Sequence, residues 1–237
     1  MRPIGFSTGA LAKGDVARGV ELQRTRQRID AVELSALRDH ELPALAAAAG
    51  ALDLRHFSYV SVHAPSKLET LDEQSVFELL VQLPEPWPIV AHPDILRTPS
   101  LWRRLGARLC IENMDDRKTT GRTPAELRAL FEQYPDASFC LDLGHARQID
   151  PTMASALQML RELGGRLRQV HVSEVGTRGE HRALGATTRL AFSSVTHRIP
   201  EGCPLILESV IPPEDIEREL DAVQTALEAS AVQVATA

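Results

Sequence analysis

Six short apolar runs along the chain each end in a side chain able to bind a metal: Val60-Ser61-Val62-His63, Ile89-Val90-Ala91-His92, Leu109-Cys110-Ile111-Glu112, Phe139-Cys140-Leu141-Asp142, Gln169-Val170-His171 and Leu205-Ile206-Leu207-Glu208. Runs rich in Val, Ile and Leu without strict alternation are how parallel strands buried on both faces read. A buried strand keeps an imidazole or carboxylate at its end only where something offsets the desolvation, and one shared ion offsets several such groups together. The pattern therefore points to a single site assembled from six strand ends.

The segments between these runs read as helices. A first strand, Ile4 to Ser7, leads into a loop from Thr8 to Gly14 and a helix capped by Asp15 over Val16 to Arg28; a second strand spans Ala31 to Ser35. The Ala-rich stretch Pro43 to Ala49, stopped by Gly50, is the next helix. Later helices are expected over Thr70 to Leu83, Thr98 to Leu105, Thr123 to Tyr134, Asp150 to Leu163, Thr187 to His197 and Pro213 to Leu227. Three of these open with Thr-Pro or Asp-Pro, a cap followed by proline in the first turn, where its missing N–H costs nothing. About eight strands alternating with about eight helices is the pattern of a closed parallel (β/α)8 TIM barrel, expected as one domain over residues 1–228 with a loosely ordered tail over 229–237.

At 237 residues, 43% hydrophobic and 24% charged, the chain has material for one large core. A net charge of −6 argues against a surface built to hold nucleic acid, and 4% aromatic residues leave little for base stacking. Cys110, Cys140 and Cys203 are odd in number and two of them fall inside core strands, so they read as buried small hydrophobes. Neither a leader-like start nor a membrane-spanning window is visible, and the cytoplasm is the expected compartment.

In a barrel of this kind the C-terminal strand ends face one pocket. His63, His92, Glu112, Asp142, His171 and Glu208 would converge there, joined by His145 and His181 from loops at the same mouth. His nitrogen and carboxylate oxygen without thiolate suit zinc, manganese, iron or cobalt better than calcium or magnesium. About eight such groups exceed the need of one ion, and a carboxylate such as Glu112 can bridge two. His40, His56 and His197 fall away from the mouth, whereas Glu33, late in the second strand, is placed to orient a ligand histidine from behind.

The segments Val62-His63-Ala64-Pro65, Ile111-Glu112-Asn113, Cys140-Leu141-Asp142 with His145, His171-Val172 and Leu205 to Glu208 resemble the xylose isomerase-like TIM barrels. That group includes endonuclease IV, of AP endonuclease family 2, and sugar phosphate isomerases and epimerases. The resemblance to endonuclease IV implies a zinc cluster: His63 and His92 on one ion, Glu112 bridging to a second held by Asp142, His171 and Glu208, and a third on His145 and His181. The family's third-site carboxylate would fall two residues before His181, where this chain has Gly179. The epimerase members imply one ion on Glu112, Asp142, His171 and Glu208, so His63 and His92 are what separate the two patterns.

The leading expectation is a hydrolase of a small phosphorylated or otherwise anionic molecule, using two or three zinc or manganese ions, with Glu112 and Glu208 at the chemistry and Arg178 and Arg182 steadying developing charge. Two alternatives stand beside it. One is a single-metal isomerase or epimerase in which Glu112 and Glu208 move a proton; the other is a metal-binding protein without catalysis.

Overall fold

The computed structural model describes residues 2–235. Among them, eight parallel strands close a barrel: β1 (Ile4–Ser7), β2 (Ala31–Ser35), β3 (Tyr59–His63), β4 (Ile89–Ala91), β5 (Leu109–Glu112), β6 (Ser138–Asp142), β7 (Leu167–Val172) and β10 (Leu205–Leu207). The sheet closes through β1 pairing with both β2 and β10. Between β7 and β10 the chain makes a small antiparallel hairpin, β8 (Glu174–Val175) with β9 (His181–Arg182). The expected TIM barrel is therefore present, with strands at the expected places.

The outer layer consists of α1 (Thr8–Ala12), α2 (Val16–Arg24), α3 (Leu42–Ala48), α4 (Glu73–Val81), α5 (Pro99–Trp102), α6 (Pro124–Gln133), α7 (Leu143–Ile149), α8 (Ala154–Leu163), α9 (Ala186–Thr196) and α10 (Ile216–Ala235). Their apolar stripes pack on strands that are buried on both faces, and Phe77, Trp102, Phe139 and Phe192 fill the layer between. No helix among the described residues is long and apolar enough to cross a membrane. The expected tail over 229–237 falls at the end of α10, where residues 236–237 lie outside those described.

Several boundaries differ from the expected ones. Thr8–Ala12 is helical rather than loop, ending where Lys13 takes φ 51°. The proline reading holds at Pro99 and Pro124, and Thr123 caps its helix by accepting from Glu126 N. It fails at Asp150-Pro151: Asp150 ends α7, and α8 starts only at Ala154 after Met153 turns left-handed. Asp150 still serves α8, because its Oδ2 accepts from Ser155 N at 2.8 Å across the turn.

Two loops at the C-terminal mouth are fastened by one carboxylate. Asp39, after β2, is 1% exposed and accepts from the backbone N–H groups of Glu69, Thr70 and Leu71 at 2.6, 2.6 and 2.8 Å, and from Thr70 Oγ1 at 2.8 Å. Burial alone would raise its pKa, but the three N–H donors and the hydroxyl win and hold the carboxyl well below its usual range. A depressed carboxylate adds stability above its unfolded pKa and loses it as pH falls towards the folded one. Asp39→Ala should cost about 2 kcal/mol, a drop in Tm of roughly 5 °C at neutral pH, with the gap from wild type narrowing as pH falls below about 4. Thermal melts of both proteins across that pH range check this.

Candidate metal centre

Because the strands are parallel, their C-terminal ends reach the mouth together. His63 and Glu112 are the last residues of β3 and β5, Asp142 the last of β6, and His92 and Glu208 follow β4 and β10 directly. His171 sits one residue inside the end of β7, in register with Asp142. Glu112 is the centre of the group and fully buried. Its Oε2 lies 3.2 Å from both His63 Nε2 and His92 Nε2, and its Oε1 lies 3.1 Å from His171 Nδ1 and 3.4 Å from His145 Nδ1.

Two ligand sets follow from this arrangement. His63, His92 and Glu112 can each present one donor atom within 4.8 Å of the others, and so can Glu112, Asp142, His171 and Glu208. His63, His171 and Glu208 form a further overlapping set. Glu112 is common to the first two sets, as a bridging ligand would be.

His145 and His181 are placed differently from the expected loops. His145 lies in the first turn of α7, capped by Asp142, whose Oδ1 accepts from His145 N at 2.7 Å. The capping residue is thus also the strand-end carboxylate. His181 lies in β9; its Nδ1 is 2.9 Å from Ser173 Oγ and 3.3 Å from Glu208 Oε2. The two rings stand 5.6 Å apart at the same mouth, yet among the described residues neither joins a ligand set. The carboxylate nearest to His145 Nε2 is Asp115, at 3.9 Å.

The electrostatics fit a site that could hold a cation. Burial alone would lower the His63 imidazole, but Glu112, with Glu33 and Glu208 behind it, raises it to about 9. His171 is driven well above its usual value against burial by Glu208, Glu33 and Glu112. Glu112, which burial would raise, is held well below the carboxylate range by His171, His63 and His92. Asp142 is pushed up to about 7 by burial and by the nearby Glu112 and Glu208 charges, against the opposing pull of His145 and His171. These carboxylates are therefore offset largely by imidazolium protons, which an ion must displace on binding. Asp142 Oδ2 and His92 Nδ1 are buried without a hydrogen-bond partner, as expected of groups awaiting another neighbour. The nitrogen and oxygen donors fit zinc or manganese, and no cysteine enters the sets.

Beneath the mouth a buried chain of side chains reaches towards the opposite end of the barrel. Tyr59 Oη donates to Gln169 Oε1 at 2.7 Å, Gln169 Nε2 donates to Glu33 Oε2 at 2.7 Å, and Ser61 Oγ donates to the same oxygen at 3.0 Å. Glu33 Oε2 is 3.2 Å from His171 Nε2. With an ion on Nδ1, Glu33 would hold the proton on Nε2, a nitrogen that Gln169 Nε2 also approaches to 2.8 Å. Glu33 occupies the orienting position expected for it. Gln169 was not singled out, although it lies two residues before His171 and so on the same face of β7.

Above the ligand sets opens a cavity of about 520 Å3, lined by His63, His92, Glu112 and Glu208 and, on its rim, Lys67, Arg117 and Lys118. Arg178 and Arg182 do not line it: the Arg178 side chain is 89% exposed, and Arg182 is ion-paired to Glu180. Glu180 is committed to those contacts and to Arg178 N at 3.0 Å, away from His145 and His181. Arg117, by contrast, lines the cavity.

No family model matches the chain, and no curated protein does. Solved structures do. The chain has the fold of IolI. A crystal structure of the IolI protein with a zinc atom superposes over 100% of this chain and 99% of that one, with a TM-score of 0.59 and 16% identity. A dihydropteroate synthase from Xanthomonas albilineans bound to 7,8-dihydropteroate matches with a TM-score of 0.47 and 14% identity over 98% of this chain and 92% of its own. A conserved Enterococcus faecalis protein of unknown function matches at 0.44 and 12%, over 95% and 65%. At 16% identity, the likeness to IolI establishes a shared barrel and leaves the chemistry to the residues.

Proposed function

We propose that this chain is a metal-dependent enzyme of the xylose isomerase-like barrel superfamily that hydrolyses a small phosphorylated or otherwise anionic molecule. The observation that carries the reading is the position of Glu112, 3.2 Å from the histidines of one ligand set and a member of the other. His63, His92 and Glu112 would hold one ion, and Glu112, Asp142, His171 and Glu208 a second; zinc or manganese suits both. The zinc reported in IolI is in keeping with this assignment. Bound there, such ions would acidify water and neutralise charge on the oxygens of a phosphoester.

The chain's own residues complete the chemistry. Glu33 would fix the His171 tautomer, and Asn113, donating to Asp142 O at 2.9 Å and accepting from Asp142 N at 2.7 Å, holds the β6 end at Asp142. His145 Nδ1 is engaged with Asn113 O at 3.0 Å, which turns Nε2 towards Asp115, and His145 would be the group to pass a proton to a departing oxygen, with His181 lining the opening. The isomerase reading has Glu112 and Glu208 move a proton, and of the two only Glu208 keeps partial exposure at the cavity. Glu112, fully buried and surrounded by four imidazoles, is poorly suited to that task.

A panel of small phosphate esters and ketoses, assayed with metal-loaded protein in deuterated water, separates the readings. Release of inorganic phosphate without deuterium on carbon is the expected result. Deuterium incorporation into a ketose without phosphate release would replace hydrolysis by isomerisation.

A further inference from the structure

Arg117, on the loop after β5, turns back on Asp115, whose carboxylate is 1% exposed. Asp115 Oδ1 accepts from Arg117 N at 3.0 Å; Oδ2 accepts from Arg117 Nε at 2.8 Å and is also contacted by Nη2. Nη1 donates to the carbonyl of Arg178 at 3.3 Å. The guanidinium rests against Gly179, where φ is +77° and a methyl group would fall 1.8 Å from Arg117 Cζ. Glycine there supplies both the turn and the space.

A guanidinium carries five N–H donors. The contacts above engage one each on Nε, Nη1 and Nη2, leaving one on each terminal nitrogen, and the side chain is 47% exposed on the cavity wall. Asp115 Oδ2 is 3.9 Å from His145 Nε2, whose Nδ1 is 3.4 Å from Glu112 Oε1, so the fork lies one residue away from the ligand sets. Lys67 lines the same cavity and engages no hydrogen bond or ion pair among the described residues, whereas Lys118 is tied to Asp94 at 2.6 Å.

Resting on the reading of the mouth as a metal site, we infer that Arg117 and Lys67 form an anion seat for the phosphoryl group of a small phosphate ester. A fork already immobilised by Asp115 loses little freedom on binding and presents two parallel donors to two oxygens. Lys67, on the loop after β3, adds an ammonium to the lining of the same cavity. A tetrahedral group with three terminal oxygens can use both cations, while a planar carboxylate has only two oxygens, which the fork alone satisfies. The cavity volume suits a ligand of small-molecule size.

The test uses full-length protein loaded with zinc, inorganic phosphate as the probe and acetate as the carboxylate control, with binding measured by calorimetry and metal content measured on each sample. Arg117→Lys keeps the charge that Asp115 needs but loses the fork; Lys67→Met removes a side chain on which no described contact depends. Wild type should bind phosphate well above acetate, with affinity falling about tenfold in Arg117→Lys and about threefold in Lys67→Met at unchanged metal content. Phosphate affinity within twofold of wild type in both metal-loaded variants would overturn the seat, as would acetate binding as tightly as phosphate. A wild-type protein that takes up no metal would instead bring down the underlying metal reading, and the seat with it.

Discussion

Glu112→Gln should empty both metal positions at once, because Glu112 is the residue that the two ligand sets share. An amide offers one neutral acceptor oxygen where the carboxylate offers two charged ones, so neither ion would keep its ligand number. Metal content should fall from about two ions per chain to near zero. Phosphoester hydrolysis should fall by roughly three orders of magnitude or more, the scale seen when one member disables a unit that acts together. The fold should survive, since Glu112 makes its side-chain contacts with His63, His92, His145 and His171 rather than with the packed layer outside the barrel. Without its carboxylate the elevated His63 pKa should drop, because Glu112 is the largest of the groups that raise it. Elemental analysis together with far-ultraviolet circular dichroism separates metal loss from unfolding.

Glu33→Gln is the second large effect, and it acts from beneath the site. Glu33 touches His171 Nε2 while the ligand sets draw on the other side of the ring. Loss of its charge weakens the hold on the tautomer that offers Nδ1, and the new amide nitrogen would face the Gln169 amide that now donates to Glu33. Metal affinity measured by chelator competition should fall about 10- to 100-fold, the range for removing a carboxylate behind a ligating histidine. A drop in melting temperature with unchanged metal affinity would mean that Glu33 only packs the barrel. Glu33→Asp, retaining the charge, should recover part of the loss.

Much of this site was legible because parallel strands impose a simple rule. A run buried on both faces has no reason to end in His, Glu or Asp unless that end is used, and the runs ending at His63, Glu112 and Asp142 are strands that stop at those residues. What escaped the sequence lies where one residue does two jobs or where spacing carries no period. Asp142 reads as a ligand, which hid its role as the cap of α7 and so hid the helix itself. Asp150, followed by proline, reads as a cap in its own right, yet it closes α7 and reaches α8 only across a turn. Asp115 and Arg117 are two apart in a loop, a separation that signals nothing until Gly179, some sixty residues on, supplies the wall against which the guanidinium rests. Arg178 and Arg182 are prominent in sequence as cations near His181, but the β8–β9 hairpin carries them to the outer rim beside Glu180.

A Glu112 bridge between two metal positions in one mouth has a plain consequence for stoichiometry. Its most direct test is the metal content of protein purified without chelator and then titrated with zinc, in wild type and in His92→Ala. His92 belongs to the set containing His63 and Glu112 and is absent from the set of Glu112, Asp142, His171 and Glu208. About two tightly held ions per chain are expected in wild type and one in the variant. One ion in both proteins would contradict the bridge.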